Sequence, residues 1–148
     1  MNQESVTINQ NTPNPFATLT SGALIKMILD SEHPEVKLNY WKEHSLGLIT
    51  AIIGPLVWLR DKRGMRLDAS VALEYTTLSR LLELRHMDEM PSILIEVLTH
   101  YCESLVGWDE RKKAEQSGET YVQHSHLQML AIKLLTRSGQ TSQTDKQI

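Results

Sequence analysis

One cysteine, Cys102, is all that the 148 residues contain. That excludes an internal disulfide and any metal site built from several thiolates, and it fits a reducing compartment. The seven glycines are scattered and never form GxxxxGK[ST] or GxGxxG, so no glycine-lined phosphate cradle is present in the sequence. GxSxG and HExxH are missing too, which removes the commonest nucleophile elbow and zinc helix. The longest strongly apolar run without a charge, Leu46–Leu59, has fourteen residues, short of the roughly 20 that span a bilayer. The first sixteen residues are polar and lack the apolar core of a secretory signal. Alternation of period two is scarce, so strands are not expected.

What is present points to helices. Hydrophobic residues make up 41% and charged residues 22%, in the ordinary soluble range and enough for one core. The fold class is all-α: a compact bundle of about five to six helices around a central, proline-kinked helix at about 37–63. The uncharged run is apolar on nearly every face, which suits a helix surrounded by others. Pro55 removes the donor for the Ala51 carbonyl and crowds it, so a kink is expected there. A disordered leader at 1–16, an all-α domain at 17–138 and a disordered tail at 139–148 complete the plan.

Local signals place the remaining elements. Thr18–Ser21 offer caps for a helix carrying Leu24, Ile25, Ile28 and Leu29, which the residues around Pro34 break. Gly64 suits the position after the central helix, and Asp68 caps the next one. Thr76-Thr77 separates two short helices, and Pro91 fits the first turn of the following helix, which ends near Gly107. A last helix runs from Thr120 to Arg137, with Val122, Leu127, Leu130, Ala131, Leu134 and Leu135 inward.

Chemistry-bearing clusters are thin. Glu96, His100 and Cys102 lie close in sequence without a second ligand pair at zinc spacing, and the histidines read as surface or capping residues. Cys102 reads as a small buried hydrophobe, and Trp41 and Trp58 as core. No enzyme, cofactor or metal is expected. Net charge is −3, yet residues 60–66 carry four bases and one acid. Arg60, Lys62, Arg63 and Arg66 are therefore the candidate nucleic-acid contacts, although the same cations complement the helix dipole. Trp108, in a loop after Gly107, is the candidate partner anchor.

Three blocks then carry a resemblance. Residues 39–68 (NYWKEHSLGLITAIIGPLVWLRDKRGMRLD) resemble the all-α domain of type IV coupling proteins, in particular the DotL/TrbC branch of the TraG/TraD-like ATPases. The pattern is a tryptophan (Trp41), an apolar helix with proline (Pro55) and a closing Leu59-Arg60-Asp61. Tyr101–Glu110 (YCESLVGWDE) is similar to the family's Y-x-x-S-L-P-G-aromatic segment, with Val106 in place of proline. Val122–Met129 (VQHSHLQM) is similar to E-Q-H-x-Y-L-x-M-Q, with His126 in place of an aromatic. Walker motifs are absent, so the resemblance implies the accessory domain without its motor, as an excised domain or a free-standing relative. It further implies a cytoplasmic, monomeric module without membrane insertion, at the inner face of the membrane if attached to the parent coupling ATPase. Its partners would be DNA and/or relaxosome proteins, in conjugative transfer or type IV secretion. The alternative is a helical protein–protein adaptor that does not touch DNA.

Overall fold

A computed structural model of the chain describes residues 14–30, 39–112 and 115–147, with side chains from 45 in the central helix and up to 139 in the last. Seven helices and no strand occur among the described residues: α1 Pro15–Thr18, α2 Ser21–Asp30, α3 Asn39–Arg63, α4 Ala69–Glu74, α5 Leu78–Arg85, α6 Ser92–Glu103 and α7 Gly118–Gln147. No described helix is long and apolar enough to cross a membrane.

Helix α3 is the axis. Leu48, Ile49, Ala51, Ile52, Ile53 and Leu56 have no exposed surface, and Pro55 is buried among them. Helices α7, α6 and α2 pack against it, with α4 and α5 at one end. Its enclosure is incomplete along one thin strip, where Leu46, Gly47, Thr50 and Gly54 are not buried. After Leu46 the strip is made of small residues, and α6 comes close at Gly54, where a Cβ would lie 3.0 Å from a Leu94 methyl.

The short elements follow local hydrogen bonding. Thr20 Oγ1 accepts from the Ala23 amide ahead of α2. Asp68 Oδ1 accepts from Val71 N–H at 3.0 Å and caps α4, and Thr77 Oγ1 accepts from Arg80 N–H and caps α5. Gly64 adopts φ +70°, and Met65 N–H closes back onto the Leu59 carbonyl, ending α3 in the left-handed turn that glycine accommodates.

Several boundaries differ from the sequence reading. Phe16 is 1% exposed, inside the core rather than in a leader. Asn14 anchors it by accepting from the Phe16 amide and donating Nδ2 to the Leu67 carbonyl at 2.9 Å. Residues 1–13 of the expected leader, the break around Pro34 and the Trp41 side chain lie outside the described residues. Pro91 is the N-cap residue of α6 rather than its first helical residue. Helix α6 ends at Glu103, four residues before Gly107, and α7 starts at Gly118 and continues through the segment read as a tail. Val122 faces outward, 60% exposed, while Leu127, Leu130, Ala131, Leu134 and Leu135 face the core. Trp58 is half-buried against the core.

Phe16→Ala should cost about 3 to 5 kcal/mol of unfolding free energy, because it empties a fully buried aromatic site. Urea denaturation reads this directly; a loss under about 1 kcal/mol would show that Phe16 lies outside the core.

Candidate functional site

The basic end of α3 is less cationic than its sequence. Arg60 is spent internally: Nη1 donates to the Phe16 carbonyl at 2.8 Å, Nε to Asp61 Oδ1 at 2.8 Å, and the side chain is 12% exposed. That contact stitches the end of α3 to α1 and uses the guanidinium's planar fork as a strut. Arg63 stacks over the Trp58 ring at 5.3 Å while Nη2 reaches Glu89 at 3.1 Å and the Asp88 carbonyl at 3.2 Å. Glu89 takes φ 70°, so the turn before α6 is bent into that contact. Arg66 is 82% exposed and pairs with Asp68 Oδ2 at 3.1 Å. Lys62 is exposed and makes no ion pair among the described residues. Four cations with three paired carboxylates leave a net +1 here. Lys62 and Arg66 are the two that project toward solvent.

Trp108 is tethered. Its indole Nε1 donates to Glu110 Oε1 at 3.0 Å, the ring packs half-buried on the core, and the other carboxylate oxygen of Glu110 meets Arg85. Hydrogen bonding to Arg85, opposed by burial, holds the Glu110 carboxyl below its ordinary range. The same loop is tied to α7: Thr120 Oγ1 donates to the Val106 carbonyl at 2.6 Å, and Val106 N–H donates to Gln123 Oε1. Gly107 has φ +72°, and a Cβ there would lie 2.7 Å from Ser117 Oγ, so the turn admits only glycine. This explains the glycine of the Tyr101–Glu110 block.

Two of the three blocks meet at a buried polar contact that periodicity did not reveal. Tyr101 Oη lies 2.8 Å from His124 Nδ1, and His124 Nε2 lies 2.8 Å from the Thr76 carbonyl. A carbonyl only accepts, so Nε2 carries the proton and Nδ1 accepts from the phenol. His124 is 3% exposed, correcting its reading as a surface or capping residue. Burial, against the Thr76 hydrogen bond, lowers its pKa, and burial pushes the Tyr101 phenol far up. Gln128 Nε2 adds a bond to Thr76 Oγ1. Together these join α6, α7 and the α4–α5 turn. His126, by contrast, is exposed.

Beside this contact an open groove of about 430 Å³ runs between α3, α6 and α7, lined by Gly47, Thr50, His100, Tyr101, Gln123 and Leu127 among others. The lining contains no Asp, Glu, Lys or Arg. Cys102 is buried with its thiol pushed up to about 11, chiefly by burial, so it is neither a thiolate nucleophile nor a ligand beside exposed Glu96 and His100. Among the described residues no three His, Cys, Asp or Glu side chains are grouped to hold a metal.

Comparison with known proteins gives one informative result. The chain is similar to the type 4 coupling protein DotL of Legionella pneumophila (strain Philadelphia 1), 24% identical over 147 residues. The match covers 88% of this chain. It covers 19% of DotL, so the chain spans a small part of that protein's length. No family model and no solved structure matches. The likeness supports, at a coarse level, the coupling-protein resemblance drawn from the three sequence blocks.

The buried imidazole predicts a pH dependence. Its folded pKa is depressed, so its contribution is fully present above the unfolded value of about 6.5 and drains away as pH falls through the folded value. Melting temperature should therefore drop as pH falls below about 6.5, more steeply for the wild type than for His124→Gln. Equal slopes would contradict the assignment.

Proposed function

We propose that the chain is a substrate-recognition module of a type IV coupling protein or a free-standing relative of one, without catalysis of its own, and that it reads protein more than DNA. The observation that carries this reading is the likeness to DotL over 88% of the chain. Its preference for protein rests on the basic end. Arg60 and Arg63, half of the expected phosphate contacts, are engaged with the fold itself. Substrates of such a module would be relaxosome proteins or secreted effectors, met at the open groove and its surroundings.

A second reading has its own support. Lys62 and Arg66, on either side of Gly64 in sequence, are both exposed, and two phosphates of a passing strand could pair with them. Two contacts supply weak, salt-sensitive affinity. Trp108 is a poor anchor on either reading, since its nitrogen is already bonded to Glu110.

Binding to purified relaxosome proteins or effectors should survive Lys62→Ala with Arg66→Ala. Fluorescence anisotropy with labelled oligonucleotides separates the DNA component. Any DNA binding should lose about two units from its log–log salt slope in that double variant. Arg60→Ala should leave the slope unchanged while lowering stability. Tight DNA binding that instead depends on Arg60 would overturn the preference for protein.

A further inference from the structure

The outward side of α7 is apolar in a way that core packing does not account for. Of the seven exposed large hydrophobic residues among those described, four (Tyr121, Val122, Met129 and Ile132) lie on the first half of this one helix. Val106, a fifth, is beside them, its backbone N–H donating a hydrogen bond to Gln123 Oε1. Val122, Ser125, Met129, Ile132 and Thr136 follow one another at steps of three and four residues, the spacing of a helix–helix seam. Patches of this kind on a small domain mark contact surfaces.

We propose that this face is a self-association surface on which a second copy of the chain lays its own α7 antiparallel. Charge selects that occupant. Glu119 stands in the first turn, residues 120–132 carry no formal charge, and Lys133 and Arg137 follow. An antiparallel pair brings the acidic end of each helix to the basic end of the other, and a parallel pair sets like against like. The same register places Val122 opposite Ile132 of the second copy, apolar on apolar, and lays Met129 over the small Ser125. The uncharged middle lets the patch face itself without repulsion. This departs from the monomer expected at first reading and does not depend on the coupling-protein assignment.

Sedimentation equilibrium on the full chain tests it. Mass should rise from monomer toward dimer between about 1 µM and about 1 mM. Met129→Glu should hold the chain monomeric across that range, with the wild-type melting temperature at about 1 µM, where both are monomers, since this side chain is 47% exposed. A double variant, Val122→Cys with Ile132→Cys, should form intermolecular disulfides joining position 122 of one copy to 132 of the other. Cys102 is buried and does not compete. The inference is overturned by a chain that stays monomeric at the top of the range, by a dimer indifferent to Met129→Glu, or by links of 122 to 122. Loss of another protein's binding in Met129→Glu, with no dimer of the wild type, overturns it as well and assigns the face elsewhere.

Discussion

A helix with almost no polar face has to be enclosed, and that requirement shapes the molecule. The side chains of α3 from Leu48 to Leu56 gain most of their free energy by leaving water, and a lone helix offers them no cover. Three helices press on it from different sides, and α4 and α5 close one end. Pro55 is tolerated there because packing, rather than an unbroken backbone ladder, holds the element in place. Where cover is thinnest, over Gly47 and Thr50, the groove opens.

Enclosure also determines what the ends of α3 can do. Its C-terminus is fastened by Arg60 to the Phe16 carbonyl and by Arg63 to the turn before α6. Those bonds satisfy backbone acceptors and complement the helix dipole, so the charge they carry is largely consumed inside the protein. A surface that sums to +3 along the sequence therefore offers two projecting cations in three dimensions. The groove beside Gly47 and Thr50, far along α3 from these cations, has no Asp, Glu, Lys or Arg in its lining.

The legible parts of the sequence were those governed by neighbours a few residues away. The uncharged run marked α3 as core, Asp68 announced its helix, Thr76-Thr77 marked the break between two short ones, and Gly64 marked a stop, because each acts within one turn. What was missed depends on distant partners. Phe16 looks like a leader residue until Asn14 is seen bonded to Leu67, and Arg60 looks like a ligand contact until the Phe16 carbonyl is placed beside it. His124 resembled a surface histidine because its partners, Tyr101 and Thr76, lie 23 and 48 residues away. Val122 was read inward because helical spacing alone does not say which neighbour covers which stripe. The motif blocks did carry a signal for the site, since Tyr101 and His124 begin or anchor two of them.

Hydrogen exchange of the α3 amides tests the enclosed axis most directly. If α3 is the centre of the fold, the amides of Ile52, Ile53 and Leu56 exchange only through global unfolding, with a free energy within about 1 kcal/mol of that from urea denaturation. Exchange of those amides at less than about half the global value, through local opening, would place the helix at the periphery and contradict the account.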